Sequence, residues 1–366
     1  MLRSLHLRGY RSLRDFRLKL GRVTVITGEN GVGKSNFYRA LSMLQRMAEG
    51  RLAESIAQEG GMPSLMWAGD RRTDEPHRVI WEIEHEIFSF SIECGLPRPA
   101  ITAFKLDPDL KEEVLRFGGA KGRIMAKRKR PMIEVRDAEG RLEALTLPFH
   151  PTESMLSEVR DGSRYPALTA SRDILLGWRF YHQFRSDPES AMRQPRVGFH
   201  SPVLAHDGSN LAATLQTIEE AKPGILDETI EAAFPGTKWR AVDDSGSFQL
   251  QIARSGLNRW LNAAELSDGT LRFFCLCAAL MSSRPSPLLV LNEPESSLHP
   301  ALLDPLAGMI SRVAPETQVI VVTHSQPLAA AITERCEAKI VELVRYEDET
   351  RRRGDDSAKR SWTFDE

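Results

Sequence analysis

Cysteine is scarce in this sequence, with four residues in a chain of 366. Cys94, Cys275, Cys277 and Cys336 form no C-x-x-C pair, which excludes a disulfide framework and the usual structural zinc sites. We therefore expect a reducing, cytoplasmic location. Cys275 and Cys277 stand in an apolar run, and we expect them to pack in the core.

Long apolar runs are also absent. The longest run, at residues 273–281, is far shorter than the roughly 18 residues that a membrane-spanning helix needs. Arginines at positions 3, 8, 11 and 14 leave no room for the apolar stretch of a secretory signal. No membrane partner is expected.

The chain has no excess of charge of one sign. It contains 49 lysines and arginines against 50 aspartates and glutamates, for a net charge of -1. Any affinity for nucleic acid must therefore come from a local patch. A composition of 41% apolar and 27% charged residues indicates a folded globular protein and excludes a wholly disordered or collagen-like chain.

Apolar patterns predict the elements of the first half of the chain. Residues 2–20 alternate with period two and predict a hairpin. Residues 23–27 form a β-branched run, typical of a strand buried on both faces, and a helix is expected at about residues 34–48. An antiparallel pair at residues 79–84 and 87–92 is predicted to extend the first sheet.

The second half is predicted to mix helices and strands. Helices are expected at residues 166–178, 210–221, 225–234 and, after a loop, up to residue 281. Strands are expected at residues 179–184, 248–252, 288–291 and 318–323.

Shifts in composition predict the domain organisation, starting from a prior of about two domains for this length. Residues 97–151 are rich in proline and charge, and we interpret them as an insertion. The tail is dense in both charge signs and is expected to be disordered after residue 345. The predicted division is residues 1–184 and 286–345 as the two parts of one core, residues 185–285 as a helical subdomain, and residues 346–366 as a charged tail.

The segment GENGVGKS at residues 28–35 matches the phosphate-loop pattern G-x-x-x-x-G-K-S between a predicted strand and a predicted helix. Glycines let backbone N–H groups point at phosphate oxygens, the lysine reaches the β- and γ-phosphates, and the serine hydroxyl ligates Mg²⁺. The alternative is a glycine-rich turn with an incidental lysine. The predicted nucleotide-binding residues are Asn30, Gly31, Gly33, Lys34, Ser35 and Asn36, with Lys34 also acting in catalysis and Ser35 on the metal.

The segment LNEPE at residues 291–295 places acidic groups at the end of an apolar strand, where they can reach Mg²⁺ and an attacking water. Glu293 is the candidate general base. Asn292 occupies the position where a metal-directed aspartate normally stands, so it is a candidate metal-site residue, with a lowered affinity for Mg²⁺. The alternative is a buried strand followed by an acidic turn.

Four segments follow one another along the chain: the phosphate loop, LSDGT at residues 266–270, the strand that ends at Glu293, and the strand that ends at His324. This order resembles the ATP-binding-cassette (ABC) ATPases, in the branch that contains RecF, the SMC-type chromosome proteins and the overcoming-lysogenization-defect nucleases. The opening LHLRGYRSL at residues 5–13 and the phrase LNEPESSLHP are similar to stand-alone, RecF-like AAA-family ATPases of bacteria. Several relatives of that group act in DNA repair or phage defence.

The resemblance implies a fold and a set of roles. The implied fold class is α/β, an ABC-type P-loop ATPase head with a mixed core sheet, N-terminal antiparallel strands and a helical subdomain. Ser267 and Gly269 would bind the γ-phosphate held by a second subunit, and residues 296–298 would couple the two sites. His324 resembles the catalytic switch histidine, and Arg11 an arginine that approaches the nucleotide.

The resemblance also implies a glutamine that senses Mg²⁺. Gln183, at the end of a predicted strand, is our choice as this metal-site residue, with His182 and Gln58 as alternatives.

The implied function is Mg²⁺-dependent ATP hydrolysis by a homodimer that closes head to tail on ATP. It would be coupled to DNA in repair or defence. The charge of the basic residues between Lys121 and Arg130 makes them candidates for neutralising DNA phosphates, with a solvated loop as the alternative. The alternatives are an ATP-gated scaffold for a partner effector protein, a nucleotide switch of slow turnover because of Asn292, and a transporter ATPase. The absence of long heptads excludes an SMC-type arm.

Overall fold

A computed structural model describes residues 1–70, 77–97, 103–129, 132–146 and 149–355. The chain forms two compact units, each described here by itself. Unit 1 comprises Met1–Gly21, Gly28–Trp178 and Val341–Glu366, and unit 2 comprises Arg22–Thr27 and Arg179–Ile340. Each unit is assembled from separate stretches of sequence, and the predicted division into a core, a helical subdomain and a charged tail stays a prediction.

The strands are β1 (Leu2–Tyr10), β2 (Leu13–Lys19), β3 (Val23–Thr27), β4 (Arg78–His85), β5 (Phe88–Gly95), β6 (Asp109–Phe117), β7 (Arg123–Lys129), β8 (Met132–Arg136), β9 (Leu142–Leu145), β10 (Arg179–Tyr181), β11 (Arg196–Val197), β12 (Thr237–Asp244), β13 (Ser247–Arg254), β14 (Leu261–Asn262), β15 (Leu288–Asn292), β16 (Gln318–Val322), β17 (Ala338–Tyr346) and β18 (Glu349–Arg352). The α-helices are α1 (Lys34–Glu49), α2 (Leu52–Gln58), α3 (Met62–Leu65), α4 (Met155–Glu158), α5 (Pro166–Leu176), α6 (Leu211–Ala221), α7 (Ile225–Ala233), α8 (Asp268–Leu280), α9 (Leu303–Val313) and α10 (Gln326–Arg335). Short 3₁₀ turns lie at Ala191–Arg193, Ala263–Glu265 and Pro300–Leu302.

Unit 1 contains an antiparallel sheet of eight strands in the order β2-β1-β4-β5-β6-β7-β8-β9. The predicted N-terminal hairpin is confirmed: β1 and β2 pair, with Leu7 opposite Phe16. The predicted second pair, β4 and β5, lies next to β1. Leu5, Leu7 and Leu13 are buried, as their alternation requires for strands with one covered face.

Helix α1 packs its apolar stripe in unit 1, with Phe37, Leu41 and Leu44 buried at helical spacing. Two hydrogen bonds add to this packing: Trp81 Nε1 donates to the Ala40 carbonyl at 3.0 Å, and Gln45 Nε2 donates to the Trp178 carbonyl at 2.8 Å. These contacts hold the helix that follows the phosphate loop in a single position within the unit.

The segment at residues 97–151, interpreted as an insertion, continues the sheet of unit 1 through β6 to β9 in its described parts. Its charged residues are not all solvated. Arg128 Nη1 lies 3.3 Å from Glu113 Oε2, and both side chains are buried. Ser154 Oγ and the Met155 N–H also donate to Glu113. Burial raises the pKa of Glu113, although Arg128 and these hydrogen bonds oppose the rise.

The expectation of a disordered tail after residue 345 is wrong for residues 346–355. Strands β17 and β18 pair antiparallel, with Arg345 opposite Thr350. Two of the charged residues that suggested disorder pair with residues earlier in the chain: Glu349 with Arg14 at 2.9 Å and Arg353 with Glu342 at 2.8 Å. Residues 356–366 of the predicted tail lie outside the described residues.

Unit 2 contains four parallel strands in the order β10-β15-β16-β3. Every residue of β3, β15 and β16 is buried, which explains their near-continuous apolar sequences. The predicted strands at residues 23–27, 288–291 and 318–323 are thus confirmed. Because the strands are parallel, their carboxyl ends meet at one edge of the sheet.

The predicted helical subdomain at residues 185–285 contains the helices α6, α7 and α8 but also an antiparallel sheet. Strand β13 pairs with β11, β12 and β14. The expectation of a mostly helical region missed β12 because most of its side chains are partly or fully exposed, so its sequence has no clear apolar alternation. Cys275 and Cys277 are buried in α8, as expected. No helix of the described residues is long and apolar enough to cross a membrane.

Candidate nucleotide-binding site

The phosphate loop, residues 28–35, is curled around the side chain of Lys34. Lys34 Nζ donates to the carbonyl oxygens of Gly28 and Glu29 at 2.7 and 2.8 Å. Gly28, Gly31 and Gly33 have φ values of 149°, 81° and 100°, which side chains rarely permit. The loop therefore depends on glycine at the positions that the sequence motif names.

The N-terminus of α1 is suited to an anion. Gly33 is the cap residue and offers no side-chain hydrogen bond, and the first turn contains no acidic residue. The first N–H groups of a helix have no partner inside the helix, and the helix dipole is positive there. Ser35 is exposed at this end, and Asn30 and Gly31 are exposed at the tip of the loop. The structure thus brings together the predicted residues of the phosphate loop.

Arg11 lies in the turn between β1 and β2, with a φ of 47°. Its guanidinium is held by an ion pair with Glu59, which also accepts from Arg39 at 2.9 Å. Arg11 Nη1 is 3.5 Å from Asn36 Oδ1 at the start of α1. Arg11 and Asn36, both predicted to contact nucleotide, are therefore in direct contact with each other.

A second group of predicted residues lies at the carboxyl edge of the parallel strands of unit 2. Asn292 is the last residue of β15 and is buried. Its Nδ2 lies 2.6 Å from His182 Nδ1, and this amide nitrogen can only donate. Asn292 Oδ1 is buried and accepts no hydrogen bond from the described residues. The acceptor oxygen of the predicted metal-site residue thus has capacity for a further donor.

Glu293 follows β15 in the left-handed region, with a φ of 51°, and its N–H donates to the Val322 carbonyl. His324 follows β16, and its Nδ1 lies 3.8 Å from Glu293 Oε1 and 3.4 Å from Glu295 Oε1. Thr323 Oγ1 donates to Glu295 Oε1 at 2.5 Å. Glu295 was not singled out in the sequence, although it stands two residues after Glu293 and its carboxylate links both strand ends.

Of the three candidates for the Mg²⁺-sensing residue, His182 contacts Asn292 directly. Gln183 is exposed next to it and lines a small cleft together with Asn292 and Glu293. Gln58 lies in α2 of unit 1, where its Nε2 donates to Glu54 at 3.2 Å. The register between β10 and β15 explains the position of His182. Tyr181 pairs with Leu291, and the residues that follow them, His182 and Asn292, therefore lie side by side.

Residues 266–270, the predicted signature loop, begin helix α8. Ser267 is its N-cap and accepts from the Thr270 N–H at 3.3 Å. A Cβ on Gly269 would lie 2.8 Å from the Ser297 carbonyl, so only glycine permits this approach. Arg272 Nη1 donates to the Ser296 carbonyl and to Ser297 Oγ. The signature loop and the predicted coupling loop, residues 296–298, are therefore in direct contact.

Sequence reasoning missed Arg193, which holds the signature loop in place. Its guanidinium is buried and donates to the carbonyls of Ala263, Ala264 and Leu266 and to Asp268 Oδ1 at 2.6 Å. No motif marks this arginine, because its partners are 70 to 75 residues away. Nearby, hydrogen bonds from Arg259 and from a backbone N–H lower the pKa of Glu265 to about 2.

The residues present fit a nucleotide with Mg²⁺. No group of three or more His, Cys, Asp or Glu side chains among the described residues forms a metal-binding cluster. A divalent ion there would need phosphate oxygens and water as further ligands, as Mg²⁺ normally has in nucleotide sites. Within unit 1 the phosphate loop and the N-terminus of α1 suit the phosphates, and within unit 2 the Asn292 Oδ1 atom has capacity for a donor such as water.

Solved structures with the same fold are heads of SMC proteins. One is the SmcHead bound to the C-winged helix domain of ScpA, with a TM-score of 0.54, 17% identity and coverage of 96% of this chain and 97% of that chain. Another is the Smc head domain with an extended coiled coil from Pyrococcus furiosus, bound to the C-terminal domain of ScpA, with a TM-score of 0.54, 15% identity and coverage of 96% and 95%. The fold class is confirmed as that of ABC-type, SMC-like P-loop ATPases.

Curated relatives are ATP-binding proteins. The thiamine import ATP-binding protein ThiQ of Photobacterium profundum is 36% identical over 88 residues, 23% of this chain and 36% of the relative. The phosphate import ATP-binding protein PstB of Malacoplasma penetrans is 30% identical over 148 residues, 38% of this chain and 45% of the relative. The chain thus spans less than half the length of each. It belongs to the AAA_21 family, "AAA domain, putative AbiEii toxin, Type IV TA system", whose model matches residues 23–331.

Proposed function

We propose that this chain is a Mg²⁺-dependent ATPase whose phosphate loop holds the triphosphate. The observation that carries the proposal is the curled loop with Lys34 inside it and an uncapped helix N-terminus behind it. Chain connectivity supports it as well. The loop begins one residue after β3, β3 pairs with β16, and β16 pairs with β15, which ends at Asn292.

The strand-end residues then have roles in hydrolysis. Mg²⁺ bound with the nucleotide would neutralise developing charge on the phosphates, and Ser35 would be its protein ligand. Asn292 Oδ1 would accept a hydrogen bond from a water at this strand end. Glu293, half-buried after β15, orients and deprotonates the attacking water, and His324 contacts the γ-phosphate from the end of β16. The contacts that support this position are those of His324 Nδ1, which lies 3.8 Å from Glu293 Oε1 and 3.4 Å from Glu295 Oε1.

A second copy of the chain completes each site in this proposal. Ser267 and Asp268 are exposed at the N-terminus of α8, an end that favours an anion. In a head-to-tail homodimer, Ser267 and Gly269 of one copy would meet the γ-phosphate bound to the other. The transition state would then form only in the closed dimer, and ATP would be a switch as well as a substrate.

The proposal is tested with Glu293→Gln, which keeps the shape of the side chain but removes the base. We expect this variant to be monomeric without nucleotide and dimeric with saturating Mg-ATP, because ATP persists in the closed state. Sedimentation velocity measures the change, and Lys34→Ala in the same background is the blank. A Glu293→Gln variant that stays monomeric at saturating Mg-ATP contradicts the shared-site proposal.

Coupling to DNA is a further part of the proposal, and the basic segment offers less charge than its sequence suggests. Arg128 is buried on Glu113, and Lys127 pairs with Glu112 at 2.9 Å. Arg130 lies outside the described residues. Lys121, Arg123 and Lys129 are exposed and remain as candidates for phosphate contacts.

The dependence of ATP turnover on duplex and single-stranded DNA at moderate salt tests this coupling. If DNA stimulates ATP turnover, and the double substitution Lys121→Glu with Lys129→Glu abolishes this stimulation, the result supports a DNA-engaging ATPase in repair or defence. Turnover indifferent to DNA favours the ATP-gated scaffold for a partner protein. Negligible turnover under all conditions favours a nucleotide switch.

A further inference from the structure

The C-terminal hairpin of unit 1, formed by β17 and β18, contacts the turn between β1 and β2. Thr350, in β18, is 3% exposed, and its N–H donates to the Ser12 carbonyl at 2.8 Å. Glu349, next to it, pairs with Arg14. These contacts bring a side chain from the far end of the sequence to residues of the first hairpin.

The Thr350 hydroxyl continues directly to the phosphate loop. Thr350 Oγ1 donates to the Val32 carbonyl at 2.7 Å. A hydroxyl has one proton, so Thr350 must accept in its other contact, and Ser12 Oγ, 2.7 Å away, is the donor. Ser12 in turn accepts from Asn36 Nδ2 at 2.8 Å. The donors all run in one direction, from Asn36 through Ser12 and Thr350 to the Val32 carbonyl, which strengthens each bond in the chain.

The bond to the Val32 carbonyl determines where the next N–H points. In a planar trans peptide, the C=O and the following N–H point in opposite directions. Because the carbonyl of Val32 is held on Thr350, the N–H of Gly33 must point away from Thr350. Gly33 is the cap residue of α1, and its N–H is one of the donors that a phosphate loop presents to an anion.

The packing beside Gly33 is tight. A Cβ on Gly33 would lie 2.1 Å from Thr350 Oγ1 and 2.8 Å from Ser12 Oγ. The two hydroxyls therefore occupy the volume beside the glycine. A Val32 carbonyl turned the other way would face the phosphate oxygens and repel them.

We propose that Thr350 and Ser12 are positioning residues that preset the Val32–Gly33 peptide for phosphate binding. The inference rests on the proposed nucleotide function. It adds that nucleotide binding depends on two residues outside the phosphate-loop motif. The C-terminal hairpin is then part of the nucleotide site, although none of its residues needs to touch the ligand.

The test compares Thr350→Val, which removes the hydroxyl and keeps the shape, with Thr350→Ser, which keeps the hydroxyl. Calorimetric titration with Mg-ATP should show affinity about tenfold weaker in Thr350→Val and within about twofold of wild type in Thr350→Ser, since one directed hydrogen bond is lost or kept. Thr229→Val is the matched control. Thr229 is also a buried threonine whose hydroxyl donates to a backbone carbonyl, that of Ile225, but it lies in α7.

Thermal unfolding without nucleotide measures general damage. Thr229→Val should lose less stability than Thr350→Val, because the Ile225 carbonyl keeps its helical N–H donor whereas the Val32 carbonyl and Ser12 Oγ lose a partner. Equal Mg-ATP affinity in these two variants overturns the inference and leaves the proposed function standing. If the wild-type protein binds Mg-ATP no better than Lys34→Ala does, the result overturns both the positioning inference and the proposed function. If Thr350→Val does not fold, Ser12→Ala provides the test: we expect roughly threefold weaker binding, from the loss of the donor to Thr350, and unchanged binding contradicts the inference.

Discussion

Replacing Arg193 by alanine should release the signature loop. Arg193 is 7% exposed and donates through Nε to the Ser186 carbonyl at 2.9 Å, and through Nη1 to the Leu266 carbonyl at 2.8 Å. Its Nη2 pairs with Asp268 at 2.6 Å. One buried guanidinium therefore connects the segment after β10 with the start of α8.

The size of the effect follows from the groups left without a donor. The carbonyls of Ser186 and Leu266 belong to buried residues, and each costs about 1 to 1.5 kcal/mol when its hydrogen bond is lost. The Ala263 carbonyl keeps the Leu266 N–H and contributes less. Asp268 is 57% exposed, so we discount its ion pair to a few tenths of a kcal/mol. The free energy of unfolding should fall by about 2 to 3 kcal/mol.

The substitution should also weaken ATP-driven dimerisation. Asp268 stands between the two residues proposed to meet the phosphate of the other copy, and without Arg193 its negative charge repels that phosphate. In the Glu293→Gln background, we expect Arg193→Ala to raise the dimer dissociation constant about tenfold and Asp268→Asn to restore part of it. Such recovery is expected only of residues that act together.

Urea unfolding and sedimentation velocity provide the two measurements. Arg185→Ala is the matched control, because Arg185 is 68% exposed and pairs with Asp187 on the surface, where a salt bridge contributes little. If Arg193→Ala loses no more stability than Arg185→Ala, or dimerises as well as its parent, the reasoning about the signature loop is wrong.

Two further predictions concern the metal site and the pH dependence of stability. Asn292→Asp should lower the Mg²⁺ concentration for half-maximal ATP turnover roughly tenfold, since a carboxylate binds a metal-bound water more strongly than an amide does. The control is Asn258→Asp, at an exposed position. An unchanged Mg²⁺ requirement in Asn292→Asp contradicts the assignment of Asn292 to the metal site. Burial lowers the pKa of His85 from 6.5 to about 4. As the pH drops from 6.5 towards 4, His85 is protonated in the unfolded chain but not in the folded one, so the free energy of unfolding falls by up to about 3 kcal/mol. Urea unfolding at pH 7.5 and 4.5 should show His85→Gln losing less stability than wild type over this interval, and an equal loss contradicts the reasoning.

Local sequence was sufficient for the strands and loops whose patterns are self-contained. The five apolar residues of β3 followed by GENGVGKS predicted a buried strand and a phosphate loop because both depend on neighbours in the chain. The same holds for β15 and for Glu293 at its end. Strand β12 and the outer strands of the sheet in unit 1 were missed, because bulges and cross-strand charge pairs hide their alternation. One example is the register shift between Leu115 and Arg116.

The sequence by itself determined the phosphate loop and the acidic strand end, and it predicted a signature loop between them, in the order of an ABC-type ATPase. Only the tertiary structure decided which residues support them: Arg193 for the signature loop, His182 beside Asn292, and Thr350 behind Gly33. The reason is physical. A motif records contacts to a ligand at fixed spacing, whereas these supporting hydrogen bonds join residues 75, 110 and 318 positions apart, and no local pattern constrains such pairs.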